Sequence, residues 1–317
     1  MENIVAPKNK KKLTKKRKKE LIFITVMLAY PVIQFLLIWI FVNFNSILLA
    51  FEPISDARGV FKYFDNFILV IETIFTKTRG YVTLINGWEI PTGLLVLINS
   101  LSYAFVSIFI SLPLALISSY FLSKKMPFAN VFRVIFFLPN IISVVALIFA
   151  FRMQLDSNVG TVYFILKNYF NITIKDAIWP NTTIIVLLYC IWAGLGYNVL
   201  LLSGAIGRIP KELFESAKMD GAGSFKEFTK IMIPMVWPTV VTLIVVGMTS
   251  ILTLYLQPVI FDYVNTETIA GSIFNEALSE SKRPYLSAFG LFFSLIFAPL
   301  ILWVRKVLSK KYSDVDI

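Results

Sequence analysis

Residues 182–206, TTIIVLLYCIWAGLGYNVLLLSGAI, contain no charged residue, and neither do residues 235–256, MVWPTVVTLIVVGMTSILTLYL. Between them lies GRIPKELFESAKMDGAGSFKEFTKIMIP, residues 207–234, which carries charges of both signs. A bilayer hydrocarbon core is about 30 Å thick, so a helix needs about 20 apolar residues to cross it. Both flanking stretches reach that length. They are therefore read as two membrane spans joined by a short connection in water.

Outward from this pair, four more stretches pass the same test: Leu21–Val42, Leu94–Leu122, Val131–Phe151 with only Arg133 near one end, and Tyr285–Val304. The expected fold is an all-α integral membrane protein with six transmembrane helices. Composition agrees. Hydrophobic types make up 57% and charged types 15% of the 317 residues, against roughly 45–50% and 25% in soluble domains. A soluble enzyme would lack the polar groups to cover itself. The net charge of +11 would suit nucleic acid in a polar chain, but not in one this apolar. With Cys190 alone and no histidine, an internal disulfide, a Cys/His zinc site and a Ser-His-Asp triad are excluded, and no metal site is expected. The first span is read as permanent: it is too long for a signal peptide, and no small-x-small site follows in Asn43–Ser46.

Lys and Arg mark the cytoplasmic side of a membrane protein. If the N-terminus is cytoplasmic, 21 of the 30 basic residues fall on that side, in residues 1–20, 123–133, 207–233 and from 303 onward. Both termini are thus read as cytoplasmic. The resulting organisation is a basic tail (1–20), a first span with an extracytoplasmic segment (21–93), a core of five spans (94–304) with the connection 207–234, and a cytoplasmic tail (305–317). The run Lys8–Lys19 is an orientation signal on a disordered tail in preference to an anionic-lipid site. No charge lies deep in a span. Proton relays and voltage sensors place ionisable groups there, so a self-driven pump or channel is disfavoured.

The connection itself reads as structure. Pro210 suits a first helical turn, Glu212 and Lys218 match the helix dipole, and Gly221 supplies a stop. A helix is predicted over about 210–220. Ser224 and Glu227 have capping-box spacing, so a second helix is expected towards Ile231, with Pro234 at the entry to the next span. Leu213, Phe214 and Ala217 share one face; Phe225, Phe228 and Met232 form a second apolar stripe. Two readings stand open on these grounds: an amphipathic pair lying on lipid headgroups, or a knob that docks in a groove of a soluble partner.

Here the chain resembles a known family. Glu215-Ser216-Ala217, Asp220-Gly221-Ala222 and Ile231-Met-Ile233-Pro234 are similar to the EAA loop of ABC importer permeases, with Ser216 in place of alanine. Ile209-Pro210-Lys-Glu-Leu matches the form found in carbohydrate importers. Tyr30-Pro31, Asn99-Ser100, Arg133 to Pro139 and Trp192 to Gly196 extend the resemblance over roughly residues 20–310. Two departures stand out. Asp262–Thr268 replaces the Gly-Gly-Pro motif of many sugar permeases, and the C-terminal tail lacks the Gly-x-x-Lys-Gly ending of the companion subunit. The chain thus resembles the half of the heterodimer that has a basic N-terminal tail.

The resemblance implies a non-catalytic subunit of a bacterial cell-membrane importer. Its partners would be a second permease subunit, two ATPase subunits, an extracytoplasmic solute-binding protein and the lipid bilayer, with no nucleic acid. No phosphate-binding Gly-x-x-x-x-Gly-Lys-Ser/Thr loop occurs in the chain, so it binds no cofactor itself, and ATP and Mg would be held by the ATPases. Glu215, Ser216, Ala217, Asp220, Gly221, Ala222, Gly223 and Phe225 would form the coupling contact. A carbohydrate, read as an oligosaccharide, would meet aromatic and amide side chains within the spans; the candidates are Asn140, Tyr189, Trp192, Tyr197, Asn198 and Gln257. Interfacial or lipid-facing packing is the competing role for the aromatics. The run Phe61–Phe75 either lies on the membrane or meets the binding protein. The alternatives are an ABC permease for a non-sugar solute and a secondary carrier, which would need buried ion-coupling groups or an internal repeat.

Overall fold

A computed structural model describes residues 15–53, 63–76, 80–83, 89–124, 126–156, 159–170, 182–261 and 266–311. The start of the basic tail, Phe61 and Lys62, Asp262–Asn265 and the tail from Tyr312 lie outside the described residues. Contacts divide the chain into two compact units, Met1–Leu49 and Ala50–Ile317. The described residues of the first unit belong to one helix, α1 (Lys15–Ala50), whose last residue falls in the second. It outruns the predicted span at both ends, since 15–20 and 43–50 contain no residue that breaks a helix.

In the second unit, α2 (Asp65–Phe75) leads to a two-stranded hairpin, β1 (Tyr81–Thr83) and β2 (Glu89–Pro91), with Val82 opposite Ile90. Then follow α3 (Thr92–Ser123), α4 (Ala129–Ile141), α5 (Val144–Gln154), α6 (Thr161–Phe170), α7 (Thr182–Ile206), α8 (Lys211–Met219) and α9 (Ser224–Thr253). The chain closes with α10 (Leu256–Phe261), α11 (Ile269–Glu276) and α12 (Arg283–Ser309).

Among the described residues five helices are long and apolar enough to cross a membrane, or six if the bent pair α4 and α5 is taken as one span. The fold is the expected all-α membrane bundle, with three differences of detail. Val131–Phe151 is not one straight span: it breaks between α4 and α5 with a bend of 102°. Ile142 and Ser143 leave the helix for extended angles (ψ 147° and 126°). Pro139 removes a bond from the last turn of α4, and Ile141–Val145 is rich in β-branched residues that hold a helix poorly. The fifth predicted span ends early: α9 stops at Thr253, Leu254 is extended, and α10 begins after it. The second helix of the connection is not separate at all. It runs from Ser224 straight into that span.

Two long helices widen by a π turn just ahead of a proline, at Ser107–Ser111 before Pro113 and at Phe228–Met232 before Pro234. Proline has no N–H and displaces the carbonyl four residues back, so a wider local turn lets the helix continue.

Three apolar clusters fill the second unit. One joins α2, α3, α9, α11 and α12 through Val70, Ile74, Val96, Ile251 and Phe289–Phe293. One lies among α3, α7 and α9 through Leu112, Tyr120, Val199, Leu202, Met232 and Val236. The third gathers Tyr103, Ile148, Tyr189 and Phe261. In α12 the inner stripe is Phe289, Phe293, Phe297 and Ile301, while Leu295, Leu302 and Trp303 face outward and are exposed. A helix apolar on both faces belongs in lipid or against another apolar surface. Helix α2 is also part of the packing: Val70 and Ile74 are buried on the bundle and Tyr285 Oη donates to Thr73 Oγ1 at 3.4 Å. Its inner face is therefore already taken, which narrows the two roles expected for Phe61–Phe75 to what its outer face does.

Candidate functional site

Helix α8 is built by its ends. Pro210 sits at the N-cap and Asp220 at the C-cap. At the C-terminus the Ala222 N–H bonds to the Ala217 carbonyl at 2.9 Å and the Gly221 N–H to the Lys218 carbonyl at 3.1 Å. This is a Schellman motif, and Gly221 occupies its left-handed position with φ 72°. A side chain there would meet the strain that Cβ imposes in that region. The next helix begins at once, with Gly223 as N-cap and Ser224 as its first residue.

The expected capping box does not form. No side chain caps α9, and Glu227 is turned away, buried and paired with Lys124. The expected stripe is also modified. Phe228 and Met232 pack inward, but Phe225 points out and is 78% exposed. Of the first stripe, Phe214 packs on the cluster, Ala217 is half-buried and Leu213 is exposed. The surface that remains open carries Glu215, Ser216, Asp220, Gly221, Gly223 and Phe225, with Met219 beside them at 88% exposure and Ala222 half-buried. Met219 is a member that sequence reasoning passed over. A flexible, polarizable methionine in an exposed knob is a usual anchor for a protein groove.

Beneath this surface lies a polar clamp. Tyr120 Oη donates to the Ser224 carbonyl at 3.1 Å, and its ring meets Phe228 edge-on at 5.2 Å. Lys124 Nζ donates to Glu227 Oε1, and it lies 5.1 Å from the Tyr120 ring centre and 5.8 Å from that of Phe214. Burial pulls the Lys124 ammonium down, but its hydrogen bonds to Glu227 and Tyr120 outweigh this, and its pKa is raised above the ordinary lysine value. Lys124 therefore remains charged through neutral pH. Arg133 Nη2 donates to the Leu122 carbonyl at 3.3 Å, closing the end of α3.

Of the six residues proposed for a solute path, Tyr189 and Trp192 are in ring contact. Tyr189 is buried, with ring contacts to Phe151, Trp192 and Phe261. Its ring is enclosed by other rings and has no free face. Trp192 is partly open and stacks on Phe151 at 6.0 Å. Asn140 Nδ2 donates to the Ala193 carbonyl at 3.2 Å, across the seam between α4 and α7. That seam is tight because a Cβ on Gly196 would fall 1.9 Å from the Phe136 carbonyl oxygen. Asn198 faces α3 instead, 3.5 Å from Ser111 Oγ. Tyr197 is exposed and Gln257 is half-buried at the start of α10. Phe151 and Phe261 join Tyr189 and Trp192 only because α5 and α10 are broken pieces folded against α7, which no local pattern marks.

A second polar network fixes that broken region. Asn99 Nδ2 donates to the Glu267 carbonyl at 3.0 Å, and Ser100 Oγ accepts from the Ile269 N–H at 3.0 Å. Thr268 Oγ1 donates to the Leu254 carbonyl at 2.6 Å and accepts from the Gly271 N–H at 3.1 Å, capping α11. Among the described residues no cluster of His, Cys, Asp or Glu is placed to hold a metal ion.

Comparison with known proteins gives a consistent result. Residues 107–314, about two thirds of the chain, match the family described as binding-protein-dependent transport system inner membrane component. A probable ABC transporter permease protein of Mycoplasma pneumoniae is 31% identical over 56% of this chain and 56% of its own length, so that match spans little more than half of the relative. The arabinooligosaccharides transport system permease protein AraP of Bacillus subtilis is 24% identical over 71% of this chain and 73% of its own. Among solved structures, a bacterial ABC transporter involved in the import of the acidic polysaccharide alginate superposes with a TM-score of 0.76 at 19% identity, covering 93% of this chain and 98% of that one.

Proposed function

Because the chain belongs to the family of inner membrane components of binding-protein-dependent transport systems, we propose that it is the permease subunit of an ATP-driven importer for a carbohydrate. An extracytoplasmic solute-binding protein delivers the solute, an oligosaccharide in this reading. A second permease subunit completes the pathway, and two ATPase subunits hold ATP and Mg. This chain supplies no covalent chemistry. It lies in the bacterial cell membrane with both termini in the cytoplasm.

One observation carries the reading. The turn between α8 and α9 presents Met219, Phe225, Glu215 and Asp220 outward on a rigid, well-capped helix. That is the form of a knob made for a groove. Because α9 continues unbroken into the membrane, a push on the knob is delivered directly to the bundle. Closure of the ATPases would shift the bundle between two packings, the only way a contact can drive a conformational change. For the solute class, the support is the arabinooligosaccharide and alginate relatives and the partly open Trp192 stacked on Phe151, a surface suited to a sugar face.

The test is uptake of a labelled glycan panel by a strain lacking the gene, together with co-purification of the tagged chain. Loss of uptake of one oligosaccharide, restored by the gene, and recovery of an ATPase with the chain are expected. If every glycan is still taken up and no ATPase is recovered, the reading fails.

A further inference from the structure

The cytoplasmic end of α3 lies about a hundred residues from the knob in sequence, yet it is tied to the start of α9 directly. Three independent contacts make the junction: the Lys124–Glu227 ion pair, the Tyr120 hydrogen bond to the Ser224 carbonyl, and the edge-on contact of Tyr120 with Phe228. The ion pair and the hydrogen bond join residues 103 and 104 positions apart in the chain. The ion pair also lies where two helix ends meet. Lys124 follows the C-terminus of α3 and Glu227 stands in the first turn of α9, so each charge is at the end of its own helix that favours it. A surface pair at such an end would be weak and screened. This one is different on its acidic side, because the Glu227 side chain is only 10% exposed, while the Lys124 ammonium, 40% exposed, lies against the rings of Tyr120 and Phe214.

We propose that Lys124, Glu227 and Tyr120 are positioning residues for energy transfer: they lock α3 to the start of α9 so that a displacement of the knob moves both helices together. Without the lock, the knob moves α9 alone, and α3, which forms one wall of each apolar cluster, stays behind. The ATPases would then turn over without driving the bundle through its full change. The proposal rests on the importer reading above, and the test separates the two.

The whole importer, reconstituted in lipid vesicles with its ATPases and the solute-loaded binding protein, is compared with the double variant Lys124→Met/Glu227→Gln. Removing both charges leaves no unpaired buried ion, so folding and assembly are retained where a single removal would threaten them. The expected result is an intact complex that hydrolyses ATP but takes up about tenfold less solute per ATP, the size of an ordinary coupling between sites. Tyr120→Phe, which deletes the hydroxyl's interactions with Ser224 and Lys124 but keeps the ring and the ion pair, lowers the same ratio less, and Lys124→Arg preserves it. An unchanged ratio in the double variant overturns the proposal, whether or not the total rates fall. So does loss of the ATPases from the complex, which would make the residues part of the docking surface alone. A wild-type chain that binds no ATPase would instead refute the importer reading itself.

Discussion

At the scale of single residues, the knob depends on Gly221 and Glu215 in different ways. Gly221 holds φ 72° in the Schellman turn, a conformation that proline, fixed near −65°, cannot adopt. Gly221→Pro must therefore unwind the turn and misplace Met219 and Phe225 relative to each other. Glu215 is exposed on α8, so Glu215→Lys leaves the helix intact and reverses a charge that a partner would read. Both variants are expected to abolish uptake while still inserting in the membrane at normal levels. Uptake assays beside membrane immunoblots check this. Normal transport by both would remove the knob from the mechanism. Ser216, by contrast, is exposed and small in an already open surface, and its exchange for the more usual alanine changes little that a partner could sense.

At the scale of elements, the two breaks govern the architecture. The break at Leu254 is tied by Thr268, and the Asn99 amide supports that segment by donating to the adjacent Glu267 carbonyl within a buried network. Asn99→Ala removes that donor and is expected to cost about 1–3 kcal/mol, the usual penalty for a buried group left unsatisfied. A lowered thermal midpoint of the detergent-purified protein, with α-helical content unchanged, is the readout; an unchanged midpoint would mean that Ser100 and Thr268 hold the break alone. Such breaks also mark the limit of what the sequence discloses. Span number and helical class follow from length and absence of charge, and α8 follows from Pro210, Glu212, Lys218 and Gly221, because all these signals are local. The bend at Ile142–Ser143 lies inside a mostly apolar run, where hydropathy is blind to direction and only Pro139 and the β-branched residues after it give a hint. Ser224 and Glu227 carried a correct local pattern that a distant lysine overrode. Phe225 lies in the first turn of α9 and faces outward, and the ring cluster around Tyr189 exists only after two broken helices have folded back.

At the scale of the molecule, the distribution of charge and the position of the knob make one claim about orientation. Helix α3 is 32 residues long, about 48 Å at 1.5 Å per residue, enough to cross the bilayer with its headgroups. The hairpin β1–β2 leads into its first residue, and the clamp to α9 is at its last. Tyr81 and Met219 thus belong to opposite ends of the second unit, and both are exposed. If the basic residues set the topology, Met219 faces the cytoplasm and Tyr81 the outside. The native Cys190 does not confuse the test, since it is only half-exposed within an apolar span, where a charged reagent does not reach. In intact cells a membrane-impermeant maleimide should label Tyr81→Cys and leave Met219→Cys unlabelled until the membrane is permeabilised. The reverse pattern would place the knob outside the cell, away from any ATPase. In that case neither the ATP-driven reading nor the role given to Lys124 and Glu227 could stand, because both require that the force arrive from the side on which α8 lies.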